Sequence, residues 1–147
     1  MASGLSNLVK KMKPEDYKSQ ENPYKVLSNS QNEHDKWVVL DTRSAWIEFT
    51  FATPISIRAY GLKSANEAPR RSPGIWRLTA TADVDDASPE VIHEVTSHDR
   101  IRWTEAWETQ IFPLPGTSAR VVKSLRLDIL SNSGDPHFQL GQFMLFE

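Results

Sequence analysis

Nine side chains in this sequence have types suited to recognising a ligand: His34, Asn66, Arg70, Arg71, His98, Arg102, Trp103, Trp107 and His137. They fall in four polar stretches, residues 28–35, 64–74, 97–108 and 132–137. Arginine, asparagine and histidine exchange hydrogen bonds with hydroxyls, and an indole face stacks on the apolar side of a pyranose ring. The same tryptophan and arginine types anchor protein–protein interfaces. The residue types therefore describe a binding surface with two possible occupants, a protein or a glycan.

Chemistry of the catalytic kind has no signature here. The chain has no Gly-x-Ser-x-Gly elbow, no glycine-rich phosphate loop, no His-Glu-x-x-His and no cysteine nucleophile. His34, His98 and His137 come from three separate stretches without the spacing of metal ligands, so no metal site is expected. The acidic turn from Asp83 lacks the glycine that a calcium loop needs at its bend. The reading is a non-enzymatic binding module.

Positioning these residues falls to strands. Residues 36–40, 46–51, 55–62, 76–83, 91–96, 109–114, 125–130 and 138–146 show period-2 alternation or short apolar runs between turn-formers. A further short strand is expected at 24–27. Trp46 and Trp76 lie on such strands and are expected in the core, while Trp103 and Trp107 either face a ligand or plug the end of the barrel. Successive reversals of an antiparallel chain put alternate connections at one end, which gathers the four polar stretches there. The turns near Pro54, 83–89 and 116–120 fall at the other end. The fold class is all-β, a single antiparallel sandwich or jelly roll spanning residues 22–147. Residues 1–21 form a short flexible arm, with 6–20 as one short helix at most.

The stretch from Ser64, Ala65 and Asn66 through Pro69, Arg70, Pro73 and Trp76 resembles the Ser-Ala-Asn-Asp-x-Pro-x-Arg-Asp-Pro-x-x-Trp segment of discoidin domains. These are the coagulation-factor C-type domains, within the galactose-binding-like jelly rolls. The frame from Leu40-Asp41 to Trp46-Ile47-Glu48-Phe49 and the closing Phe138 to Phe146 run also resemble that family. Glu67 and Ser72 depart from its two aspartates, and Gln142 from its usual glutamate. The resemblance implies a discoidin-like fold that binds through its loops. It also implies that Arg71, aligned on Pro73, is the anchored arginine of the pair, whereas loop exposure alone favours Arg71 as the freer one. Sugar-binding relatives hold structural calcium in an acidic Asp-Gly turn. Here that turn is cut to Asp41-Thr42-Arg43, whose arginine opposes a cation, so no cofactor is the leading expectation, with structural calcium as the lesser alternative.

Pro69 and Pro73 fix two φ angles, and the residues before them, Ala68 and Ser72, are expected to be extended. In such a segment Arg70 and Arg71 point to opposite sides, one anchored and one free.

Composition narrows the partners. A net charge of −2 and an isoelectric point near 6.1 argue against a general nucleic-acid binder, and no apolar run approaches membrane-spanning length. With no cysteine and no glycosylation sequon, the expected location is intracellular, and cytoplasmic within the cell. The leading expectation is thus an intracellular protein-interaction adaptor, with a carbohydrate-binding module as the alternative on the same loop rim.

Overall fold

A computed structural model describes residues 9–14, 21, 23–27, 31–32, 34–116 and 118–147. Among the described residues ten strands form three sheets. The largest has the order β1 (Val9–Pro14), β3 (Ala45–Ile57), β8 (Arg120–Asn132), β5 (Pro73–Thr81), β6 (Glu90–Val95). Facing it is a three-stranded sheet in the order β10 (Gln142–Phe146), β4 (Ala59–Lys63), β7 (Thr109–Pro113). A short ladder pairs β2 (Trp37–Val39) with β9 (Phe138–Leu140). Every pairing is antiparallel.

Period-2 alternation explains the large sheet. On β3 the side chains of Ala45, Ile47, Phe49 and Phe51 face inward, and on β8 Val122, Leu125, Leu127 and Ile129 do the same. Aromatic rings close the space between the sheets. Phe49 stacks on Phe143 at 5.2 Å between centroids, and Trp76 meets Phe112 edge-on at 5.1 Å. Such ring pairs add roughly 0.5–1.5 kcal/mol beyond the area they bury.

Inside this layer Trp76 Nε1–H donates to the Tyr60 hydroxyl at 2.7 Å, and that hydroxyl meets His93 Nδ1 at 2.5 Å. Because the Tyr60 oxygen already accepts from Trp76, it is placed to donate to a neutral His93 nitrogen. Burial pushes the Tyr60 phenol well above its ordinary range and lowers His93 below its usual value. This is a satisfied polar chain within an apolar core.

Four sequence expectations are corrected. Residues 24–27 lie in a 3₁₀ turn, Pro23–Leu27, not a strand, since so short an apolar run is ambiguous by pattern alone. In place of a helix over 6–20, Val9–Pro14 pairs with β3 along its edge; the rest of that segment lies outside the described residues. Trp46 is only half-buried and faces out of the sheet, where the Arg126 guanidinium lies 4.3 Å over its ring. Its neighbours Ala45 and Ile47 take the inward positions, because adjacent strand residues face opposite ways. The closing run divides at Gly141 into β9 and β10, where a Cβ would collide with the Ser64 carbonyl.

Candidate functional site

The strand directions bring residues 64–72, 97–108 and 132–137 to one end of the sandwich, and two polar side chains lock them there. Ser64 is fully buried at the end of β4. Its hydroxyl donates to the Glu105 carbonyl at 2.9 Å and accepts from the Glu108 N–H at 2.9 Å. Its own N–H reaches the Glu108 carbonyl, and the Ala65 carbonyl accepts from Trp107 N–H at 3.0 Å. Trp107 turns there with φ of 53°, a left-handed conformation. Glu108 fixes the same turn by accepting from the N–H groups of Thr104 and Glu105. The Thr104 N–H chiefly holds its carboxyl below the usual range.

Asn132, also fully buried, organises the other side. Its amide donates to the carbonyls of Asp135 and His137 at 2.8 and 2.6 Å, and its oxygen accepts from the Gly134 N–H at 3.0 Å. Ser133 N–H and hydroxyl then donate to the Ser72 carbonyl at 2.9 and 3.0 Å. Trp103 Nε1–H donates to the Pro73 carbonyl at 2.8 Å, tying the third segment to the same point. These bonds saturate loop backbone that water would otherwise compete for. The result is a preorganised frame.

The frame encloses a cleft of about 430 Å³. Arg43, Arg70, His98 and Arg102 supply its polar donors, with Ile101 and Trp103 as apolar wall. Ser131, Asn132, Ser133 and Gly134 form its remaining side. Two glycines make room for these groups. A Cβ on Gly74 would approach His98 Nδ1 to 2.6 Å, and one on Gly134, at φ 124°, would approach an Arg70 nitrogen to 2.7 Å. Among the described residues no carboxylate lines the cleft. Among the described residues Arg43, Arg70 and Arg102 have no ion-pair partner.

Of the nine residues singled out from the sequence, Arg70, His98, Arg102 and Trp103 line this cleft. Trp103 is 6% exposed and serves as wall more than as platform. Five lie outside the lining. His34 is exposed on its own segment. Half-buried Trp107 is bonded to Ala65 through its backbone N–H, and Asn66 holds a buried side-chain oxygen without a hydrogen-bond partner. His137 Nδ1 accepts the Asp41 N–H at 2.8 Å and so carries the 41–44 turn onto the 132–137 segment. Arg71 donates to Asp135 at 3.3 Å, which makes it the anchored member of the pair and Arg70 the free one.

The route to that division differs from the expected extended segment. Ala68 is left-handed at φ 48°, and Pro69–Arg71 form a 3₁₀ turn closed by Arg71 N–H to Ala68 C=O at 2.9 Å. Only Ser72, at φ −70° and ψ 158°, is extended as expected before proline. The turn, and not strand alternation, separates the two guanidinium groups. Arg43 was not among the expected residues. Its turn reaches the cleft through β3–β8 and β2–β9 pairing and the Asp41–His137 bond, contacts that span most of the sequence.

The Asp41 turn does not fit a cation. Its single carboxylate is turned to solvent, 3.8 Å from His137 Nδ1, and no group of three His, Asp or Glu converges among the described residues. Among the described residues no helix is long and apolar enough to cross a membrane.

No family model and no curated protein sequence matches the chain. The fold, however, is shared with family 32 carbohydrate-binding modules, which have the galactose-binding-like discoidin architecture. The module of Clostridium perfringens NanJ, solved in complex with galactose, superposes with a TM-score of 0.75 at 9% identity, covering 99% of this chain and 98% of that one. A second C. perfringens module, CpGH89CBM32-5 in complex with GalNAc-β-1,3-galactose, gives 0.73 at 12% identity, with both chains covered completely. The module of Streptococcus pneumoniae EndoD gives 0.73 at 14% identity over 95% of this chain and 94% of its own. At these identities the likeness defines the fold, a discoidin-like jelly roll.

Proposed function

We propose that the chain is a non-enzymatic carbohydrate-binding module that takes its ligand in the Arg70–Arg102 cleft. The observation that carries this reading is the cleft itself. It is a donor-rich concavity on a hydrogen-bonded frame, with a volume inside the roughly 300–1,000 Å³ range of small-ligand sites. The solved modules of the same fold, described as carbohydrate-binding and two of them holding galactose or a galactoside, favour a glycan over the protein adaptor expected first. The adaptor reading also needs exposed tryptophan anchors, yet Trp103 is covered and Trp107 is half-buried.

A glycan array followed by titration calorimetry tests the proposal. Saturable binding of at least one oligosaccharide, reduced by Arg102→Ala with melting unchanged, is the expected outcome. Failure to bind any glycan, together with Arg102-dependent capture of a protein, returns the adaptor reading to first place.

A further inference from the structure

We infer that the glycan taken by this cleft is anionic, carrying a carboxylate or a sulfate where Arg43, Arg70 and Arg102 meet. This inference rests on the carbohydrate reading and deepens it. The chain as a whole has net charge −2, yet the cleft gathers three guanidinium groups and no carboxylate. The positive charge is therefore local, and a cleft lined by one sign of charge focuses it.

Four arginines outside the cleft are paired. Arg71 pairs with Asp135 at 3.3 Å and Arg77 with Glu94 at 3.8 Å. Arg120 pairs with Glu90 at 2.9 Å and Arg126 with Asp128 at 3.0 Å. The three cleft arginines have no such partner among the described residues. Like charges gathered around one cleft repel, and an anion that enters relieves that repulsion while gaining charge-assisted hydrogen bonds. A neutral hydroxyl accepts from the same guanidinium groups but brings no opposite charge to offset theirs. A planar guanidinium fork also matches two oxygens of a carboxylate or sulfate together.

A neutral pyranose, by contrast, gains much from a stacked aromatic face, and among the described residues the cleft has no open tryptophan, tyrosine or phenylalanine ring. Trp103 is 6% exposed with its N–H committed to the Pro73 carbonyl, and Ile101 supplies the remaining apolar contact. The same lack of an open ring disfavours a nucleic-acid base, which needs a stacking platform. Charge therefore carries the recognition.

Titration calorimetry at low and at high salt tests this with trigalacturonic acid, its methyl ester, galactose 6-sulfate and neutral galactobiose. The expected result is binding of the acid or the sulfate, weakened about tenfold or more by esterification and by added salt. Arg43→Gln and Arg70→Gln each weaken it by about tenfold with melting unchanged, and Lys123→Gln, at the opposite end of β8, leaves it unaltered. Binding of the acid alone or the sulfate alone supports the inference and assigns the anion. If neutral galactobiose binds as tightly as either, the carbohydrate reading stands and the anionic one fails. If no sugar binds in this panel or on the array, both fail. An Arg70-dependent phosphopeptide in the absence of any glycan overturns the glycan assignment.

Discussion

At the cleft end of the sandwich, residues 64–72, 97–108 and 132–137 are joined by the buried side chains of Ser64 and Asn132 and by Ser133 and Trp103. At the opposite end, the turn 82–89 is exposed along most of its length, and its local bond is a long one, Ala87 N–H to the Val84 carbonyl at 3.3 Å. Val84 there is 67% exposed, and the Arg120–Glu90 pair beside it is solvent-facing. Both ends connect the same strands, so strand packing does not require the difference. A frame that spends its buried polar groups on one end reduces the loop freedom lost when a ligand binds there. The far end only has to reverse the chain.

Asn132→Ala should break this contrast most severely. It removes partners from two carbonyls and one N–H at once, and unpaired buried groups cost about 1–3 kcal/mol each, though not additively. A loss of about 3 kcal/mol, on the order of 10 °C in melting temperature for a domain of this size, is expected in a thermal scan. Asp85→Ala in the far turn should stay within about 0.5 kcal/mol of the parent. Equal losses at both sites would mean that the two ends are equally structural.

Gly134→Ala is the next largest. The residue sits at φ 124°, where a side chain is strained, and its Cβ would lie 2.7 Å from an Arg70 nitrogen. About 1–3 kcal/mol of stability should be lost to the backbone, and Arg70 must shift as well. Ligand affinity should therefore fall along with melting. Gly116→Ala has the same kind of φ, 100°, with nothing within 4 Å of the new Cβ. It should cost stability with affinity intact, which separates strain from displacement.

The arginine pair makes a finer cut within the cleft end. Arg71→Ala removes a partly exposed ion pair with Asp135 and should lower stability by about 1 kcal/mol or less. Arg70→Ala should leave the thermal scan unchanged and weaken glycan binding only. If both variants melt and bind as the parent does, neither side of the turn matters to the ligand.

How far the sequence foretold these features depends on how local their causes are. Period-2 patterning exposes β3, β5 and β8 because each buries one face, and counting reversals gathers 64–72, 97–108 and 132–137 at one end, while residues 28–30 and 33 of the fourth stretch lie outside the described residues. Arg43, however, enters the cleft through an Asp41–His137 bond between residues 96 positions apart, which no window of sequence contains. Ser64 and Asn132 look like ordinary loop polars, and only their burial reveals them as frame. Trp46 was misplaced because a tryptophan on a strand suggests core, while its strand's register gives that role to Ala45 and Ile47. The edge strand Val9–Pro14 carries no alternation to detect, and its pairing is supplied by β3.

The smallest expected effect lies between the two ends, on β6, where His93 meets Tyr60. Burial lowers the His93 pKa from its ordinary value of 6.5, against an opposing pull from Glu94. The folded state therefore binds a proton less readily than the unfolded one, and stability rises with pH across that interval. Its contribution is fully present above about pH 6.5 and declines as pH falls below that value towards the lowered folded pKa. Glu108 has the same sign in a more acidic window, since its depressed carboxyl contributes above about 4.5 and is lost on further acidification. Urea midpoints at pH 7.5, 6.0 and 5.0 should thus fall gradually for the parent. In His93→Gln the decline between 7.5 and 5.0 should flatten, from a lower starting stability because the Tyr60 hydroxyl loses its partner. An unflattened slope in the variant would place the acid sensitivity on other groups, with the loop frame at the cleft end first among them.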